Sequence, residues 1–202
     1  MPSLLPGGLV VFRTAEWGAL PPREAFAETE PRAMILHHMA TANRGPLVEP
    51  ECAVSRAMRL ARDCQRYHME ERGFADSGQH FTISIDGIVC EGRTGAVDAL
   101  LARRCIRGAH AYDADTGANA NVSWGTEHEG LYTEADVPGA QWKASVRLHA
   151  AIALLCDLEP RTIAGHRDTG CTTQCPGDRF HARIPEFRAA VRRELLQLRA
   201  SG

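Results

Sequence analysis

Gly165-His-Arg-Asp-Thr-Gly-Cys-Thr-Thr-Gln-Cys-Pro-Gly-Asp178 sets an imidazole, His166, and a thiol, Cys175, nine positions apart across one loop. The loop follows a short apolar run, Arg161-Thr-Ile-Ala-Gly165, that reads as the end of a strand, and it closes at a turn forced by Pro176-Gly177. A loop bracketed in this way can fold both donors onto one metal. Imidazole and thiolate are preferred ligands of Zn²⁺, at about 2.0 to 2.3 Å, and a catalytic zinc takes three protein donors with one position left open. A third donor is therefore expected upstream. Cys171, four residues before Cys175, is the rival ligand or a disulfide partner.

Working outward, Ala33-Met-Ile-Leu-His-His38 reads as a buried strand, because its run of apolar residues suits a sheet covered on both faces. His37 and His38 close it. Alternation along a strand points them to opposite faces, so only one can share a face with a given metal.

The whole chain constrains the setting. Its 202 residues are 44% hydrophobic, the size expected of a single globular domain spanning 1–202. With 23 basic against 25 acidic residues, no strong attraction to nucleic acid or anionic membrane is implied. Lys143 is the only lysine. The N-terminal stretch Met1-Pro-Ser-Leu-Leu-Pro-Gly-Gly lacks a basic region and is broken by prolines and glycines, a poor export signal. No run approaches the roughly 20 apolar residues of a membrane span, so a soluble protein without membrane insertion is expected. Seven cysteines are an odd number, which leaves at least one unpaired, and most sit in apolar contexts suited to buried thiols.

Apolar spacing predicts a helix over 51–72, with Val54, Met58, Ala61, Cys64, Tyr67 and His68 on one face and Gly73 as its stop. His80-Phe-Thr-Ile-Ser-Ile, Asp86-Gly87 and Ile-Val-Cys-Glu-Gly-Arg93 read as a hairpin with a two-residue turn. Asn121 to Gly130 reads as a strand with Glu127 and Glu129 on one side and Trp124, Thr126 and His128 on the other. Helices follow over 138–157 and from about Pro185 onward, the last with Phe187, Val191, Leu195 and Leu198 as its stripe. Strands interleaved with helices predict an α/β domain.

Eight pieces in this order resemble one family: Arg13-x-x-Glu-Trp-Gly-Ala, Ile35-Leu-His-His, Tyr67-His-Met-x-x-Arg-Gly-Phe-x-Asp, His80-Phe-x-Ile-x-x-Asp-Gly-x-Val-x-Glu-Gly-Arg, Gly108-Ala-His-Ala, Ser123-Trp-Gly, Gly165-His-Arg-Asp and Thr173-x-Cys-Pro-Gly-Asp. From about residue 13 to 188 the chain resembles the zinc-dependent N-acetylmuramoyl-L-alanine amidases of the peptidoglycan recognition protein type (amidase type 2), whose superfamily includes amidase-type phage lysins. The resemblance implies an α/β fold with a central mixed β-sheet flanked by helices. It implies one Zn²⁺ per chain held by His37, His166 and Cys175, with His38 outside the ligand set.

The implied activity is hydrolysis of the amide between N-acetylmuramic acid and L-alanine in peptidoglycan or muropeptides. The alternative is a recognition protein that binds peptidoglycan without cleaving it. Many members place a tyrosine where this chain has Gln79, which cannot act as acid or base. Another branch uses a strand glutamate, and Glu127 occupies that place in Ser123-Trp-Gly-Thr-Glu-His-Glu-Gly, so Glu127 is the expected general base and acid. Thr173 stands where some members have lysine, as a neutral donor to the developing oxyanion. The loop is one residue longer than the commonest family spacing, which leaves Thr172 room to take that role. His68, Arg93 and His110 match positions lining the substrate groove, Arg93 as partner of a stem-peptide carboxylate. The family's diamino-acid selectivity signature is not recognisable in Thr94-Gly95. A monomer is expected, made in the cytoplasm and acting on the cell wall after release or non-classical export, as a lysin or other lytic enzyme does.

Overall fold

The structure is a computed structural model and describes residues 1–201. In chain order it forms β1 (Ser3–Leu5), β2 (Leu9–Phe12), α1 (Thr14–Trp17), β3 (Glu28–Thr29), β4 (Met34–His38), α2 (Pro50–Arg66), β5 (Phe81–Ile83), β6 (Val89–Glu91), α3 (Ala96–Leu101), β7 (Cys105–Ile106), β8 (Trp124–His128), α4 (Gly139–Cys156), β9 (Ile163–Gly165), α5 (Asp178–Ala182) and α6 (Ile184–Ser201). Seven strands make one sheet in the order β1-β2-β6-β5-β8-β4-β9, and β3 pairs with β7 apart from it. The four strands β5, β8, β4 and β9 run parallel, while β1/β2 and β5/β6 are antiparallel, so the sheet is mixed.

Both faces of this sheet are covered, which is why Met34, Ile35 and Leu36 could be apolar without alternation. Successive residues of β6 show the two layers. Val89 packs into the larger core with Leu148 and Ile152 of α4 and Phe187, Val191 and Leu195 of α6, whereas Cys90 meets Trp17, Ala57 and Ala61. Each such large aliphatic or aromatic side chain contributes about 1.5 to 3 kcal/mol by leaving water. Among the described residues, no helix is long and apolar enough to cross a membrane.

Three expectations are corrected. Helix α2 ends at Arg66 and continues as a wider π-helical turn over Tyr67–Glu71. Its buried stripe is Ala53, Ala57, Ala61 and Gln65, because small residues let the helix lie close on the sheet beside Trp17; Tyr67 is exposed instead. The hairpin does not turn on two residues: the Ser84 amide donates to the Ile88 carbonyl and the Gly87 amide to the Ser84 carbonyl, enclosing Ile85, Asp86 and Gly87. Gly87 takes φ +81°, the left-handed residue that such a three-residue loop requires.

Candidate metal centre and cleft

The site lies where the parallel strands end, the usual position for ligands in such sheets. His37 is the penultimate residue of β4, Glu127 is its register partner on β8, and His166 directly follows β9. One loop then brings back Cys175. The donor atoms of His37, His166 and Cys175 lie within 4.8 Å of one another.

The loop from His166 to Cys175 is held by its own short-range bonds. Asp168 accepts the Gly165 amide at 2.8 Å and meets His181 at 2.8 Å, and the Thr169 hydroxyl donates to the His166 carbonyl at 2.7 Å. The Arg167 amide donates to the Cys175 carbonyl at 3.0 Å, which closes the loop. From outside, Asp113 accepts the Thr172 amide at 2.7 Å and the Thr116 hydroxyl donates to the Gly170 carbonyl at 3.0 Å.

These residues fit zinc. Tetrahedral ligation with the bond lengths given above separates a nitrogen and a sulfur ligand by about 3.5 Å, and His37 Nδ1 lies 3.7 Å from Cys175 Sγ. The buried His166 Nε2 has no hydrogen-bond partner among the described residues. Burial lowers the pKa of His37 well below the ordinary histidine value and lowers that of His166, so both imidazoles are neutral, the form that ligates metal. Burial and the charge of Glu127 push the Cys175 thiol up, but the His38 amide donates to its sulfur at 3.4 Å and Arg167 also favours the thiolate.

An open cleft of about 790 Å³ runs over this group, walled by Tyr67, His68, Gln79, His110, Glu127 and Thr173 among others. Burial raises the Glu127 pKa to about 8 and is its sole cause. Its carboxyl group is thus proton-bearing near neutrality in the metal-free protein and can both give and take a proton. Glu127 also faces a smaller pocket of about 330 Å³ beside Leu60, Cys64 and Met39.

The remaining expected residues divide. Thr173 faces the cleft and its hydroxyl oxygen accepts the Cys175 amide at 3.1 Å, leaving its own proton free to donate. Thr172 is exposed and bonded through its backbone to Asp113, so the cleft position belongs to Thr173. His68 reaches the cleft with Nδ1 accepting the Gly78 amide at 3.3 Å, and burial lowers its pKa to about 4, which leaves Nε2–H as a donor. His38 is turned to the Tyr132 amide, which donates to its Nδ1 at 3.2 Å, and stands outside the metal group.

Arg93 corrects its expectation. It is 3% exposed, its Nε donates to the Ser77 carbonyl at 2.9 Å, and its guanidinium lies 4.1 Å over the Phe26 ring. Burial lowers its pKa to about 10. The packing of Phe26 from an irregular segment covers it, and Arg93 is not among the residues that line the cleft. The cationic groups that do stand on the cleft wall, Arg72 and Arg107, lie in a π-helical cap and a loop where no periodic signal marks them.

His110 lines the cleft, but both ring nitrogens are engaged, Nε2 with the Ser123 carbonyl at 3.0 Å and Nδ1 with His37 Nε2 at 3.0 Å. Gln79 is fully buried, its amide donating to Cys64 Sγ at 3.2 Å and Thr82 Oγ1 at 3.1 Å, while its Oε1 has no partner among the described residues. Cys171 is buried and free and is not in the metal group.

In the loop after β4, Arg44 forks between Asp86 at 2.6 Å and Glu129 at 3.0 Å, and Glu129 also accepts the Ile85 amide at 2.9 Å. Asp86 accepts the Leu47 amide at 2.7 Å. This network pins the loop after β4 to the hairpin.

Comparison with known proteins gives the chain its family. The model of the N-acetylmuramoyl-L-alanine amidase family (amidase 2) matches residues 27–178. Peptidoglycan-recognition protein SC2 of Drosophila melanogaster is 30% identical over 181 residues, 84% of this chain and 82% of that one. Peptidoglycan recognition protein 1 of Bos taurus is 29% identical over 183 residues, 89% and 84%. Among solved structures, Drosophila PGRP-LB superposes with a TM-score of 0.65 at 27% identity over 86% of this chain and 91% of that one. A PGRP-LB variant was solved in complex with tracheal cytotoxin, and it matches with a TM-score of 0.65 at 26% identity over 86% and 92%. The fold is shared by the amidase LysC of Clostridium intestinale, with a TM-score of 0.65 at 19% identity over 90% and 97%. The chain belongs to the N-acetylmuramoyl-L-alanine amidase family, in the superfamily that includes the peptidoglycan recognition proteins.

Proposed function

We propose that the protein is a zinc-dependent amidase that hydrolyses the bond between N-acetylmuramic acid and L-alanine in peptidoglycan fragments. The observation that carries this reading is the shared face of His37 and Glu127: three metal-type donors and a carboxyl group with a pKa near 8 open into one cleft. Zinc held by His37, His166 and Cys175 would supply the Lewis acidity that lowers the pKa of a water and polarises an amide carbonyl. Glu127 takes the proton of the attacking water and returns it to the leaving amine. The Thr173 hydroxyl donates to the developing oxyanion. His68, also on the cleft lining, offers a neutral N–H donor to the bound peptide. A muropeptide-like ligand in a relative of the same fold supports the substrate class.

The test is direct. Zinc-loaded protein incubated with muropeptide should give separate sugar and peptide products by mass spectrometry, and intact substrate beside folded, zinc-occupied protein sinks the idea.

Gln79 favours a second reading, peptidoglycan binding without turnover. It puts a buried amide, which can neither give nor take a proton in catalysis, beneath the cleft where many relatives would have a phenol. Retention on cell wall with no product, unchanged by Glu127→Gln, would establish that reading in place of the first.

A further inference from the structure

We infer that His110 is a positioning residue for the metal centre, fixing His37 in the tautomer that presents Nδ1 to the metal. A backbone carbonyl can only accept, so the 3.0 Å contact with the Ser123 carbonyl requires the proton of His110 on Nε2. In a neutral ring this leaves Nδ1 as an acceptor. His37 Nε2, 3.0 Å away, must then donate to it, and the lone pair of His37 falls on Nδ1, the atom 3.7 Å from Cys175 Sγ. One carbonyl thus sets two tautomers in series. Ligand imidazoles generally have their second nitrogen fixed by such a partner, most often a carboxylate or carbonyl. Here a second histidine stands between.

The ring of His110 is held for this role on every side. Its amide donates to Asn121 Oδ1 at 2.9 Å. A Cβ at Gly108 would come within 2.5 Å of its Cδ2, and one at Gly125 within 2.6 Å, so the slot exists only because both positions are glycine. The His80 ring packs at 5.5 Å and the His37 ring edge-on at 5.0 Å. With both nitrogens spent, the ring has no donor or acceptor left for substrate, which separates this role from groove lining. The inference rests on zinc binding at His37, His166 and Cys175.

Glutamine can reproduce the chain of bonds, since its amide donates at one atom and accepts at another, whereas phenylalanine fills the same slot with neither. Full-length protein is stripped of metal and titrated with zinc against a chromophoric chelator. His110→Phe should weaken zinc binding about 10- to 100-fold, and His110→Gln should stay within about threefold of wild type. Should His110→Phe fail to fold, ¹⁵N-detected histidine spectra of the wild-type chain read the tautomer directly, with the His37 proton on Nε2 expected. Equal zinc affinity in folded His110→Phe, or a His37 proton on Nδ1, overturns the proposal and leaves the amidase reading standing. A wild-type chain that takes up no zinc overturns both.

Discussion

His37 and Glu127 are register partners in the parallel pairing of β4 with β8, so an imidazole and a carboxyl group rise from adjacent strands on one face. Strands are about 4.8 Å apart, which spaces a metal ligand and a proton carrier for one small reacting group. Glu127→Gln keeps the shape and removes the proton chemistry. Hydrolysis of muropeptide should fall about 10²- to 10⁴-fold with zinc content unchanged, measured by product formation and metal analysis on the same sample.

Glu127 also imposes a pH signature. In the fold it keeps its proton to about pH 8, whereas an unfolded glutamate loses it near about 4.3. Between those values the native state binds more protons, so the contribution of this residue to stability falls as pH rises. Metal-free Glu127→Gln should therefore gain on wild type between pH 5 and 8, by about 4 kcal/mol over that range, in paired urea denaturations. A constant difference across that range would contradict it.

Buried histidines act with the opposite sign. Burial lowers His110 and His149 to about 4 and His128 to about 3. Below the unfolded value of about 6.5 the unfolded chain gains protons that these native rings refuse, so stability falls as pH drops. Three imidazoles outweigh the one carboxyl group. Wild-type protein should show a lower urea midpoint at pH 5 than at pH 7.

The ligand-bearing loop and its strand partner were legible in the sequence because each donor lies at a strand end or inside a short closed loop. There, local pattern and spatial position coincide. Alternation along β8 gave Glu127 its face but set Glu129 on the same one, and only the family resemblance chose between them. Arg93 was not legible, because what covers it is Phe26, a residue in an irregular stretch whose position no periodicity reports. The same limit hid α3 and the β3/β7 pair, which span 6 and 2 residues each, too few for a pattern.

Removing Arg93 should therefore weaken the fold rather than the affinity for substrate. Arg93→Ala loses a hydrogen bond and the contact with Phe26, a cost of about 1 to 3 kcal/mol. Thermal or urea unfolding should show this loss, with KM for muropeptide within about twofold of wild type.

Thr173 and Thr172 are neighbours with different surroundings, which makes them a matched pair. Thr173→Val removes the hydroxyl that faces the cleft and should lower kcat about 10- to 100-fold, below the loss typical of an oxyanion donor that is itself charged or rigidly held. Thr172→Val should leave kcat within about twofold, since Thr172 is exposed and bonded to Asp113 rather than facing the cleft.

The fork of Arg44 between Asp86 and Glu129 has a bearing on engineering. It anchors the chain seven residues after His37, so strain introduced beyond that point is absorbed before it reaches β4. Val48 is 96% exposed just before α2 begins. Exposed stretches behind a fixed anchor tolerate insertion best, and this one offers a place to graft a peptide, a tether or a wall-targeting module without moving the metal ligands.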